Sequence, residues 1–173
     1  MVEGPGATRN ADKAKKLVGW KVLNAVKKSD DVPALHGSVM NESFCVGKEV
    51  FLCFNNDMTY RLHFGMNGSL CIRTKNSKVD PWKANDTTLS INFVNEEDGR
   101  VMILECYGST LCETTFLVAK SKYERMHQLD ICGNTFEIAQ AIASVKTRPD
   151  SMISDVLLDQ NKVRLVLPCA VFV

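Results

Sequence analysis

The sequence predicts an α+β protein on three observations: a short amphipathic segment near the amino end, a long central region of period-two alternation, and a switch to helix-like segments beyond Ser121. Ala7, Ala11, Ala14 and Leu17 recur at spacings of four and three, which sets them on one helical face with Arg9, Lys13 and Lys16 elsewhere. Val18 and Gly19 supply the stop. Trp20 to Val26 then reads as a strand, and Lys27 to Gly37 as a polar loop broken by Pro33.

Val50 to Phe54 is apolar on both faces and is expected at the centre of a sheet. Asn55 to Asp57 turn it into Thr59 to Phe64, forming a hairpin with Lys48 at its open end. Gly65 to Gly68 is expected as a tight link into a separate strand, Ser69 to Arg73. After a polar loop, Leu89, Ile91 and Phe93 alternate with Thr88, Ser90 and Asn92, the pattern of a half-buried strand. Asp98 and Gly99 return the chain into Val101 to Glu105, and Thr115 to Val118 reads as one more short strand. Helical segments follow at Tyr123–Leu129, Thr135–Lys146 and Ser151–Gln160, with Ser151 as an N-cap; Val163 to Val173 shows no clear period. Two regions are therefore expected, residues 1–121 and 122–173.

Composition narrows the function classes. A formal net charge of +1 announces no global nucleic-acid field, so any such partner must be met by local patches. No apolar run approaches the roughly 18 to 20 residues of a membrane span, and no membrane partner is expected. Seven cysteines without a CxxC pair argue against a disulfide framework and a zinc site, and for reduced thiols.

The amino end holds the most reactive arrangement. Removal of Met1 would free the α-amine of Val2, followed by the carboxylate of Glu3 and, through Pro5, by a helix start. An α-amine with a reference pKa of ~7.7 to 8.0 is partly unprotonated at neutral pH, unlike a lysine near ~10.4. It can attack an aldehyde-like carbon, and a neighbouring carboxylate can move the protons that follow.

VEGPG at the amino end, GKEVFLCF at Gly47–Phe54, RLHFGMNGSL at Arg61–Leu70 and SDVLLDQN at Ser154–Asn161 together resemble, in order and spacing, the formamidopyrimidine-DNA glycosylase and endonuclease VIII family. The valine terminus, with glycine after Pro5, is most similar to the third vertebrate endonuclease VIII-like subgroup. The resemblance implies a β-sandwich with a leading catalytic helix, followed by a helix-two-turn-helix DNA-binding region, here incomplete. It implies a bifunctional DNA glycosylase and abasic-site lyase of base-excision repair that removes oxidised bases through a Schiff base. Val2 matches the attacking amine, Glu3 the acid/base group, and Lys48 the hairpin lysine on the phosphodiester beside the lesion. Met66 matches the wedge that fills the gap left by a flipped nucleotide. Arg61 and Asn161 are expected on DNA, and the Lys75/Lys78 and Lys120/Lys122 pairs are candidates for a phosphate track. His63 is read as structural. The substrate implies a nuclear location, damaged DNA as the partner, and a monomer.

Three departures qualify these expectations. The arginine and phenylalanine that many members place in a loop against the opposite base have no counterpart at Glu105–Glu113, which points to single-stranded or open DNA. Gly6 stands where many members hold a second carboxylate. After Asn161, residues Lys162–Val173 lack the family's glycine-rich turn, and the family's zinc finger is absent, so no cofactor is expected. The chain reads as truncated or altered at its carboxyl end, and the alternative function is a catalytically impaired DNA-binding or regulatory fragment.

Overall fold

A computed structural model describes residues 4–28, 30–77, 86–130 and 135–146. Helix α1 (Gly4–Lys15) leads into β1 (Lys21–Lys27) and the two-residue β2 (Asp30–Asp31). Strands β3 (Met40–Val46), β4 (Glu49–Phe54), β5 (Met58–Thr74), β6 (Thr87–Val94) and β7 (Val101–Thr115) follow. The chain then forms α2 (Phe116–Met126), a 3-10 turn at His127–Leu129, and α3 (Ile138–Lys146). The expected helix at Ser151–Gln160 and the segment Val163–Val173 lie outside the described residues.

The strands form one antiparallel sheet of order β2-β1-β6-β7-β5-β4-β3. That sheet folds over on itself. The first half of β5 pairs with β4, its second half pairs with the start of β7, and β7 in turn pairs with β6. Val50, Leu52, Tyr60 and Leu62 from one half share a single buried cluster with Leu89, Ile91, Phe93 and Leu104 from the other. A bridge between Lys21 and Val39 draws the start of β3 back towards β1. The α+β expectation is met, with the leading helix in place.

Local sequence explains most elements. The face of α1 formed by Ala7, Ala11 and Ala14 is buried in the main core against β3, β4 and β5, and Leu17 in the turn after the helix joins the same core. In β6 the alternation is as expected, with Leu89, Ile91 and Phe93 inside. In β4, Val50, Leu52 and Phe54 face the main core while Phe51 and Cys53 join Ala119 of α2 in a second cluster, so this strand is buried on both faces. Val22 and Ala25 of β1 both point inward although three residues apart, because a bulge between Val22 and Asn24 shifts the register.

Met40–Val46 is a full strand for which the sequence raised no expectation, and three expectations are corrected. Gly65–Gly68 is no link between strands but a wide irregularity within one 17-residue strand, β5. Glu105–Glu113 is no loop; it is the middle of β7. Phe116–Val118 opens α2, because the Thr115 hydroxyl accepts the Val118 N–H at 3.4 Å and caps the helix.

A polar network sits on the β5–β7 face away from the main core. Arg73 grips Glu105 through Nε and Nη2, both at 2.8 Å, and the Tyr107 hydroxyl donates to the same carboxylate at 2.5 Å. The hydrogen bonds from Arg73 hold the Glu105 carboxyl below the usual carboxylate range against the opposing effect of burial. Burial, then the bond to Glu105, pushes the Tyr107 hydroxyl up. Burial likewise pushes the Cys53 thiol up to about 11, and the five cysteines among the described residues are unpaired.

Because its folded pKa is depressed, Glu105 contributes stability above the unfolded value of about 4.3, and that contribution is lost as pH falls through the folded pKa. Glu105→Ala is expected to cost about 3 kcal/mol by leaving Arg73 unpaired. Urea unfolding across pH 3 to 7 tests this: the cost should shrink at the acidic end, and a pH-independent difference would refute it.

Candidate functional site

Three elements converge at one end of the sheet. The first is the turn between β3 and β4, a two-residue hairpin of Gly47 and Lys48. Gly47 has φ +60° and Lys48 has negative φ, the type II′ pattern that calls for glycine at the first turn position. Gly47 is buried and its N–H donates to the Asp130 carboxylate at 2.7 Å. Lys48 is half-buried at the tip.

The second element is the start of α1. The Ser43 hydroxyl donates to the Ala11 carbonyl at 3.2 Å, and the Thr8 hydroxyl meets the Cys45 thiol at 3.4 Å. Stepping from Ala11 back to Thr8 therefore follows β3 from residue 43 forward to 45. Continued to Gly4, this register directs the amino end of α1 at the Gly47–Lys48 turn. Val2 and Glu3 lie outside the described residues, but they attach to this end.

The third element is the irregularity in β5. Phe64 pairs with Ser109 and Ser69 with Tyr107, so the four residues Gly65–Gly68 stand opposite Gly108 alone. Met66 and Asn67 form the middle of that excursion, and their side chains lie outside the described residues. Glycine is required at its base: a Cβ on Gly68 would lie 2.7 Å from the Gly108 carbonyl oxygen and 2.9 Å from the Phe64 Cβ. Gly108 itself has φ +53°. Glu49 pairs with His63, so extending that register by one residue sets Lys48 level with Phe64, at the edge of the excursion.

The remaining candidates are distributed differently. Arg61 lies on the opposite face of β5 from Leu62 and the α1 packing, half-exposed, 3.7 Å from Glu49. Its guanidinium is held above its ordinary range first by a hydrogen bond with Cys112 and then by Glu49. Lys122 pairs with Glu49, and Lys120 pairs with Glu42 at 3.0 Å while sitting over the rings of Phe44 and Tyr123. These cations are committed to local carboxylates. His63 is exposed, and Lys75 is exposed on the polar turn after β5. Lys78 and Asn161 lie outside the described residues. No cluster of three potential metal-binding side chains occurs among the described residues.

One basic feature escaped the sequence reading. Arg9 and Lys13 of α1 and Lys16 in the turn just after it follow one another at spacings of four and three, all exposed, and none has a carboxylate partner among the described residues. Lys13 donates to the Leu70 carbonyl at 3.1 Å, which leans the ridge towards the second half of β5. The helical spacing was visible, but only the fold shows that this face is uncovered.

Comparison with known proteins finds relatives both in sequence and in fold. No family model matches the chain. Endonuclease 8-like 3 of Mus musculus is 28% identical over 155 residues, covering 90% of this chain and 23% of that protein. Endonuclease 8-like 3 of Bos taurus is 32% identical over 117 residues, covering 67% of this chain and 18% of its own length. The crystal structure of a viral DNA glycosylase superposes with a TM-score of 0.67 at 16% identity, over 92% of this chain and 65% of that one. The chain is similar in sequence to endonuclease 8-like 3 proteins and shares its fold with solved DNA glycosylases. Formamidopyrimidine-DNA glycosylase of Lactococcus lactis bound to DNA containing an abasic site matches in fold over 72% of this chain and 50% of its own, with a TM-score of 0.53 at 15% identity. The chain spans less than a third of the length of the endonuclease 8-like 3 proteins it matches.

The glycine contact gives a direct test. Gly68→Ala is expected to destabilise the protein by about 1 to 3 kcal/mol, because the clash is with backbone. Ser69→Ala, one residue on, should change stability by no more than about 0.5 kcal/mol. Chemical denaturation of both variants checks the contrast.

Proposed function

We propose that this chain carries the catalytic unit of a base-excision repair DNA glycosylase with associated abasic-site lyase activity. The observation that carries the reading is the convergence of the α1 start, the Lys48 turn and the Gly65–Gly68 excursion at one end of the sheet, in a chain related to endonuclease 8-like 3. In this reading the Val2 nitrogen, freed by loss of Met1, attacks C1′ of the damaged nucleotide. The N-glycosidic bond breaks, the base leaves with its electron pair and takes a proton, and Glu3 protonates the opening sugar. The resulting iminium acidifies C2′, and loss of that proton expels the 3′ phosphate by breaking the C3′–O bond. Lys48 contacts the adjacent phosphodiester, and Met66 occupies the gap in the stack.

Single-stranded or open DNA is the substrate this reading favours. The stretch Glu105–Tyr107 is a strand paired on both edges, so it offers no loop to reach an opposite strand. The α1 ridge suits one backbone: helical rise spaces Arg9 and Lys13 by about 6 Å along the axis, and Lys16 follows in the turn after the helix. Asn161 is assigned to a phosphate, and Arg61 is left as a peripheral DNA contact. The protein acts as a monomer, without a cofactor, in the nucleus.

Borohydride trapping tests the chemistry. Met1-free protein incubated with an abasic-site oligonucleotide should yield a covalent adduct, as hydride reduces the iminium to an amine. Acetylation of Val2 should abolish it; trapping that survives acetylation would eliminate the proposed nucleophile. The electrostatic part has its own measurement. Each of Arg9→Ala, Lys13→Ala and Lys16→Ala should weaken single-strand binding and flatten the slope of log K against log salt by about 0.7. Unchanged slopes would remove the ridge from the interface.

A further inference from the structure

We infer that Asp130 is a positioning residue for the turn that bears Lys48. Its catalytic consequence rests on the glycosylase reading above; its structural part rests on the hydrogen bond alone. In a two-residue hairpin the flanking residues, here Val46 and Glu49, exchange the ladder bonds, and the N–H of the first turn residue points away from them. For Gly47 that N–H is buried, so it needs a partner. The partner is a carboxylate from 83 residues further along, at 2.7 Å and with 3% of its residue surface exposed. A bond from N–H to an ionised acceptor is about twice as strong as a neutral one.

The carboxylate is itself braced. Asp130 closes the 3-10 turn, its N–H bonded to the His127 carbonyl at 3.4 Å. The His127 ring stacks on Tyr123 with centroids 4.7 Å apart and bonds the Tyr123 carbonyl through Nδ1 at 2.9 Å. Tyr123 packs edge-on against Phe44 of β3. The brace thus runs from β3 through α2 to Asp130 and back to the tip of the β3–β4 hairpin. A small cavity of about 160 Å³ adjoins it, lined by Thr8, Asp12, Lys15, Cys45, His127 and Asp130 among others. Besides Tyr123, His127 and Thr135, the groups lining that space with the carboxylate come from α1 and β3, the same two elements whose register directs the amino end of the chain. A hairpin tip free to rock about its base would carry Lys48 with it, and this bond restrains that movement.

The test compares Asp130→Asn and Asp130→Ala with wild type, all bearing the free Val2 amine. It measures the single-turnover trapping rate on a single-stranded abasic oligonucleotide, the affinity for that oligonucleotide, and the amide proton shift of Gly47. A graded loss of rate at unchanged affinity is expected, about threefold for the carboxamide, which still accepts the N–H, and about 10- to 100-fold for alanine. The Gly47 proton should move upfield in the same order. Wild-type rates in both variants would overturn the inference, as would equal losses with an unmoved Gly47 amide. If Asp130→Ala does not fold, Asp130→Asn decides: a wild-type rate overturns the inference and the threefold loss supports it. If wild type itself never traps, the glycosylase reading fails, and the Gly47 shift in Asp130→Asn then judges the anchor: an unmoved resonance refutes it.

Discussion

The contact between the alanine face of α1 and strands β3 to β5 governs where the amino end of this protein can be. Ala7, Ala11 and Ala14 are fully or almost fully buried, and their small side chains let the helix axis approach the sheet closely. Close approach brings backbone and short side chains into bonding range, so Ser43 reaches the Ala11 carbonyl and Thr8 reaches Cys45. Those two bonds fix the helix in translation and rotation. Larger residues on this face would lift the helix and release its start from the hairpin tip, while leaving the strands themselves intact.

The second half of the site depends on a different economy of space. Gly65, Gly68 and Gly108 let two long strands remain paired on either side of a four-against-one mismatch. The sheet folds over at the same region, so the excursion stands where the two layers part. On the far side of that fold, Arg73, Glu105 and Tyr107 knit β5 to β7 across a buried face, which keeps the mismatch from spreading along the strands.

How much of this was legible in the sequence follows from the range of the interactions involved. The α1 face, the two-sided burial of β4 and the alternation of β6 are set by residues within a few positions of one another, and local spacing reveals them. Strand β3 was missed because Asn41, Glu42 and Ser43 interrupt its apolar content, and its burial comes from α1 on one side and α2 on the other. The continuity of β5 was missed because two glycines read as a turn when nothing shows Gly108 opposite them. The start of α2 was missed because Phe116, Leu117 and Val118 favour a strand locally, whereas the Thr115 cap favours a helix. Val2 and Glu3 were proposed from chemistry and resemblance, and both lie outside the described residues. The bond between Gly47 and Asp130 spans most of the described chain, and no local signal announces it.

The way the sheet ends has a consequence for the behaviour of the folded protein in concentrated solution. Its outermost strand on one side is only the pair Asp30 and Asp31, both exposed. On the other side, β3 carries α1 and is drawn at its start towards β1. An incoming strand would find two adjacent negative charges at one margin and a helix beside the other. A protein so rich in long, apolar ladders is thereby guarded against templating its own fibrils.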